Sequence, residues 1–127
     1  MDGVTYDTGA LIAADRNDRR MWALHAGFLA LEISPTVPTP VLAEAWRGGS
    51  RQANLARFLA LCTTEPLTDD QAKAVGALGA RADHDDIIDV TVVEGAARRH
   101  DVVVTSNPTH IRKIADATRA RLTIETI

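Results

Sequence analysis

The feature that most constrains this chain is the run Val102-Val103-Val104-Thr105, closing on Ser106-Asn107-Pro108. Successive β-branched residues favour extended backbone, so the run reads as a short strand that ends in small polar residues. In an open α/β sheet the carboxyl ends of the strands are where ligands bind. Just upstream lies Asp85-Asp86-Ile87-Ile88-Asp89-Val90-Thr91-Val92-Val93. Its acids fall at i, i+3 and i+4, which on a helix places Asp85 or Asp86 one turn from Asp89 on a single face. Anions held that close repel, and one is driven toward protonation unless a positive charge sits between them. A hard divalent cation such as Mg²⁺, which takes oxygen ligands, answers that need.

The rest of the chain supplies strands and helices in alternation. Val4-Thr5-Tyr6 is a β-prone run ending at Asp7; Thr8-Gly9 reads as a turn and Ala10 to Ala14 as the start of a helix. After a charged break from Asp15 to Asp18, an amphipathic helix is expected from Arg20 to Leu31, with Met21, Trp22, Leu24, Phe28, Leu29 and Leu31 as its apolar positions. Glu32-Ile33-Ser34 is a weak second strand. Thr39 is an N-cap with Pro40 at the first helical position of a helix to Trp46, which carries Glu44. Gly48-Gly49 stops that helix, and Ser50 caps the next, Arg51 to Cys62. Thr64 to Leu67 is a connection or an edge strand. Thr68 and Gln71 have capping-box spacing for a helix to about Ala80.

Asp83-His84-Asp85-Asp86 is expected to open the central helix, running to about His100. Its apolar pairs at 87–88 and 92–93 do not alternate as a half-buried strand would. Pro108 to Ala117 reads as a helix and Leu122-Thr123-Ile124 as the last strand. Alternating strands and helices predict an α/β fold of three layers, a mostly parallel central sheet flanked by helices. With 127 residues and no linker or repeat, residues 1–127 are expected to form one domain.

Composition narrows the classes further. The net charge of −3, from 17 acids against 14 lysines and arginines, argues against a generic basic nucleic-acid coat. It leaves room for an enzyme that grips phosphate through a metal, because a bound cation can be the largest local charge in a site. No apolar run nears the roughly 20 residues needed to span a bilayer. Met1-Asp2-Gly3-Val4 carries no basic or signal-like segment, and Cys62 is alone, so a cytoplasmic protein is expected. His25, His84, His100 and His110 have no ligand spacing with one another or with Cys62, which argues against zinc. Trp22 and Trp46 are assigned to core packing.

Four places put an oxygen ligand at a strand end or helix start: Asp7, Glu44, the Asp86/Asp89 pair, and Thr105-Ser106-Asn107. Helix-start acids are also common simply because the dipole favours them. Here a family pattern becomes visible. Val4 to Ile12, containing Asp7-Thr8-Gly9, resembles the opening of PIN-domain ribonucleases. Pro40-Val41-Leu42-Ala43-Glu44 resembles that family's second acidic motif, and Asp86 to Val90 with Val103 to Pro108 resembles its third and fourth. The similarity runs from Val4 to about Ile114 and is nearest to the VapC-type toxins of bacterial toxin–antitoxin pairs.

The resemblance implies an endoribonuclease with a Mg²⁺ or Mn²⁺ site held by Asp7, Glu44 and Asp89. Asp89 lies 16 residues before Thr105, the separation that fits the family's third acid, which makes Asp86 an auxiliary carboxylate. Thr8, Thr105 and Asn107 would orient the acids by hydrogen bonds, and Arg16, Arg19, Arg47, Arg51 and Arg112 are the candidate RNA contacts. It also implies homodimerisation and a cognate VapB-type antitoxin that inserts a basic side chain into the acidic groove. The chain departs from the pattern at Asn107, where the fourth motif usually carries an aspartate, and at Gly9, where the family often has serine. The loss at 107 leaves open a catalytically impaired PIN-like module that only binds. A receiver domain would need a lysine near Thr105, and a haloacid-dehalogenase-type phosphatase a second aspartate at position 9; neither is present.

Overall fold

In the computed structural model, which describes residues 3–127, the run of valines is strand β4 (Asp101–Thr105), and it stands next to the centre of the sheet. Met1 and Asp2, part of the opening read above as free of an export segment, lie outside the described residues. The elements follow in the order β1 (Gly3–Tyr6), α1 (Thr8–Asp15), α2 (Arg19–Ala30), β2 (Thr36–Pro38), α3 (Thr39–Ala45), a short 3₁₀ turn (Ser50–Gln52) and α4 (Ala53–Leu59). Then come β3 (Thr63–Glu65), α5 (Asp69–Ala82), α6 (Ile87–Arg99), β4, α7 (Pro108–Asp116) and β5 (Thr123–Thr126).

The five strands form one sheet in the order β3-β2-β1-β4-β5, every neighbouring pair parallel. Parallel neighbours need crossover helices, and right-handed crossovers dictate their side. Moving outward from β1 to β2 and β3 puts α1, α2 and α4 on one face. Returning from β3 to β4 and on to β5 puts α5, α6 and α7 on the other. The direction reverses between β1 and β4, a topological switch point, so the residues following both strands open into one crevice. The register Tyr6↔Val104 sets Asp7 beside Thr105, and the Asp7 amide donates to the Val104 carbonyl at 3.2 Å.

The core explains why β1 and β4 are central. Val4 and Tyr6 of β1 and Val103 and Val104 of β4 are fully or almost fully buried, with Leu11, Met21, Leu55 and Phe58 from the first helical layer and Val90, Val92, Val93, Ile111 and Ile114 from the second. Tyr6 alone packs against His25, Phe28 and Phe58, and its hydroxyl lies 2.9 Å from His25 Nδ1, which satisfies a polar tip inside the core.

Several local expectations are corrected. Glu32 to Ser34 is not a strand: Glu32 is left-handed (φ 61°), and the amides of Glu32 and Ile33 close the end of α2 onto Leu29 and Phe28. The second strand forms beyond that turn, with Pro38 tolerated at its last position. Thr39 does not cap α3; it lies inside the helix, and its hydroxyl accepts from the Leu67 amide at 3.2 Å. Thr8 and Gly9 are not a free turn but the first turn of α1, because Asp7 caps it.

Ser50 opens a 3₁₀ turn without capping it, and α4 ends at Leu59. The reason is Gln52, whose buried amide accepts from the Arg47 and Gly48 amides (2.7 and 2.8 Å) and donates to the Ala45 carbonyl (2.9 Å), stapling the loop after α3. The central helix starts at Ile87, four residues later than expected. Asp83 (φ 51°) ends α5 in the left-handed conformation, and the His84 amide closes that end on Gly79 at 3.0 Å. Leu31 is 67% exposed and Trp46 42% exposed, so neither is core. Trp46 instead lines an open apolar groove of about 580 Å³ with Thr39, Leu42, Ala43 and residues of α4.

Candidate functional site

Asp7 is built into the backbone that positions it. It follows β1 directly, and one carboxylate oxygen accepts from the Ala10 amide at 2.9 Å as the N-cap of α1. It is 5% exposed. Burial pushes its carboxyl above the ordinary aspartate value and the charge of Asp89 adds to this, while hydrogen bonds from Thr105 and from the Ala10 and Gly9 amides pull the other way. Thr105 is fully buried, and its hydroxyl also accepts from the Asn107 amide at 2.8 Å. It therefore ties the loop after β4 to the acid after β1.

Asp89 sits in the first turn of α6, near enough for its charge to act on Asp7. Burial raises its carboxyl as well, reinforced by Asp86 and opposed by His84 and His110. Asp86 has a different local task. It is the N-cap of α6, and one of its oxygens accepts from the Ile88 and Asp89 amides (3.1 and 3.3 Å). Asp85 is exposed and precedes the helix.

Glu44 lies on the exposed side of α3, and among the described residues it makes no ion pair or side-chain hydrogen bond. The α3 helix packs against both α1 and α6, but Glu44 is not among the groups that act on Asp7 or Asp89. The Thr8 hydroxyl is buried without a hydrogen-bond partner. Asn107, in the loop after β4, donates its side-chain amide to His110 Nδ1 at 2.9 Å.

Two residues that spacing dismissed stand here. His84 Nε2 and His110 Nδ1 each lie 3.5 Å from Asp89 Oδ2, and the two rings meet edge-on with centroids 5.3 Å apart. No sequence spacing could reveal this, because the three residues come from the α5–α6 loop, α6 and α7. Arg16, Arg19, Arg51 and Arg112 are exposed and make no ion pair or side-chain hydrogen bond among the described residues. Arg16 closes α1, about 14 Å of helix from Asp7 at 1.5 Å per residue. Arg47 donates to the Ala43 and Trp46 carbonyls and so caps the end of its own helix. None of the site acids lines the groove beside Trp46.

No protein-family model matches the sequence, and no curated protein matches it either. The likeness is in three dimensions. A chain in the crystal structure of VapBC2 from Rickettsia felis, bound to a DNA fragment from their promoter, matches with a TM-score of 0.73 at 16% sequence identity. The match covers 97% of this chain and 97% of that one. Among the described residues no helix is long and apolar enough to cross a membrane. The chain therefore has the PIN-like, three-layer α/β fold that its motifs implied.

Proposed function

We propose that the chain is a Mg²⁺- or Mn²⁺-dependent endoribonuclease of the VapC toxin type. The observation that carries the reading is the pairing of Asp7 with Asp89. Each stands at a different element, both are held above the ordinary aspartate range mainly by burial, and neither has a lysine or arginine partner among the described residues. Uncompensated, buried or largely buried anions at the switch point of a parallel sheet are costly to fold around, and they cluster where chemistry needs them. An all-oxygen donor set from Asp7, Asp89 and Glu44 suits a hard cation.

Such a cation, when bound, polarises a phosphodiester and acidifies water. The chain's own residues supply the rest. Thr105 and the Ala10 amide fix the carboxylate rotamer of Asp7. The Asp86 cap fixes the start of α6 and so the height of Asp89. The second oxygen of Asp86 remains available to take a proton from an attacking water. Arg16, Arg19, Arg47, Arg51 and Arg112 are the proposed RNA contacts, and a VapB-type antitoxin and a second copy of the chain the proposed partners. The VapBC2 structure that shares the fold supports the antitoxin by analogy.

The test is cleavage of labelled single-stranded RNA by metal-free protein with Mg²⁺ or Mn²⁺ restored. Metal-dependent cleavage that falls at least about 100-fold in both Asp7→Asn and Asp89→Asn supports the reading. A second reading, the impaired binding module, draws on Asn107, whose amide brings no negative charge and is engaged with His110. Absence of cleavage by wild type, with cleavage restored in Asn107→Asp, would select it.

A further inference from the structure

We infer that His84, Asp89 and His110 form a binding site for a first-row transition cation, Zn²⁺ foremost, whose donor set differs from that of a hard-cation site. The three ligand atoms, His84 Nε2, Asp89 Oδ2 and His110 Nδ1, all lie within 4.8 Å of one another. Both nitrogens are 3.5 Å from the carboxylate oxygen. An ion with ligand bonds of about 2.1 Å holds tetrahedral ligand atoms about 3.4 Å apart, so both edges that include Asp89 already have the length such an ion requires.

The second observation is the state of His84. Its side chain is nine-tenths buried (10% exposed), and its Nε2, aimed at Asp89, has no hydrogen-bond partner. An orphaned buried nitrogen is a net cost to the fold. A cation between Nε2 and Oδ2 removes that cost and the uncompensated charge of Asp89 together. The backbone of His84 is fixed independently of any ligand: its amide bonds to Gly79 at 3.0 Å, and Lys113 of α7 donates to the neighbouring Asp83 carbonyl at 2.9 Å. That second bond also ties the loop carrying His84 to the helix carrying His110.

His110 Nδ1 also lies 2.9 Å from the Asn107 side-chain amide, so a cation would take the lone pair of that nitrogen in place of this contact. Two imidazoles and one carboxylate favour Zn²⁺ or Co²⁺ over Mg²⁺, which prefers oxygen. Three protein ligands on the half-exposed side where His110 lies leave a fourth position for water. The inference goes beyond the hydrolase reading and does not need it, although both draw on Asp89.

The test is calorimetric titration of the full, metal-free chain with ZnCl₂ and with MgCl₂, alongside the visible spectrum after adding CoCl₂. The expected result is one Zn²⁺ bound at least about 100-fold more tightly than Mg²⁺, with visible Co²⁺ bands that Zn²⁺ abolishes. His84→Ala and His110→Ala should each weaken Zn²⁺ at least tenfold and erase the bands, whereas His100→Asn, at the far end of α6, should change neither. If His84→Ala does not fold, the half-exposed His110→Ala decides alone. Zn²⁺ no tighter than Mg²⁺, or Zn²⁺ binding that survives loss of His110, would overturn the site. The readout is binding, so it stands apart from whether RNA is cleaved.

Discussion

Two charged clusters occupy the same side of this sheet, and they are built on opposite rules. Beneath the C-terminal end of α6, Arg99 bonds Glu65 at 2.6 Å, Asp101 at 2.9 Å and the Thr5 hydroxyl at 2.9 Å; Arg98 bonds Glu65 and Glu94; and Gln71 bridges the two glutamates. Each acid there has an arginine. Burial alone would raise the Glu65 carboxyl, yet the hydrogen bonds and charges of Arg98 and Arg99 outweigh it and hold it below the ordinary glutamate value. At the N-terminal end of the same helix, Asp7 and Asp89 have no arginine and are pushed upward. The same helix thus ends in a closed network and begins in an open one. A closed network leaves each charge paired; an open one leaves its charge uncompensated.

The contrast breaks most visibly at Arg99. Arg99→Ala strands Asp101, which is 6% exposed, and leaves Thr5 and Glu65 short of a partner. Urea denaturation should show a loss of about 3 kcal/mol, the usual cost of removing one partner from a buried pair. At the other cluster, Asn107→Asp sharpens the difference by adding a third anion. Without metal its midpoint should fall. With Mg²⁺, calorimetry should find binding tightened about tenfold, worth about 1.4 kcal/mol; unchanged affinity would mean that position 107 does not face the cation.

Asp7→Asn should move stability the other way from Arg99→Ala. It keeps an N-cap acceptor for Ala10 while deleting a buried uncompensated charge, so in EDTA its melting temperature should rise by a few degrees, about 1 kcal/mol. Added Mg²⁺ should then raise the wild type but not the variant. Finally, the two clusters should be separable by pH. Asp7 and Asp89 are raised above 3.8, so the folded state binds their protons more tightly and gains stability as pH falls from neutral toward that value. Glu65 is lowered from 4.5, so its contribution is present above 4.5 and is lost as pH falls below it. Metal-free wild type should therefore be most stable in mild acid. The Asp7→Asn, Asp89→Asn double variant should lose the rise and keep the decline, which a series of thermal melts would read.

Legibility followed the range of the interaction involved. The valine run of β4, the strand–aspartate–helix junction at Asp7 and the Thr68–Gln71 cap are local, and the chain spells them out. The second strand was misplaced because the turn that ends α2 uses a left-handed glutamate, a conformation that residue type does not advertise. The start of α6 was misplaced for a similar reason at Asp83. Asp7, Glu44, Asp86 and Asp89 are candidates from motif order; spacing does not say that Asp86 is engaged in capping or that Glu44 stands apart from the groups acting on Asp7 and Asp89. His84 is legible as a neighbour of the acids from its place just before Asp85 and Asp86, but His110 is not, since only the packing of α7 against α5 and α6 brings it there. The arginine network was missed in the same way: Arg99 reaches Thr5 across most of the chain's length.

One close approach bears on how this chain can vary. A Cβ placed on Gly9 would stand 3.0 Å from Ser106 Cβ and 3.3 Å from the Ser106 amide, and would collide with the Ser106 hydroxyl. The Ser106 hydroxyl belongs to an exposed side chain and can rotate away, whereas the Ser106 Cβ and amide can yield only by a shift of a few tenths of an ångström. Gly9 thus sets how closely the ends of β1 and β4 approach, and a side chain there would part them slightly.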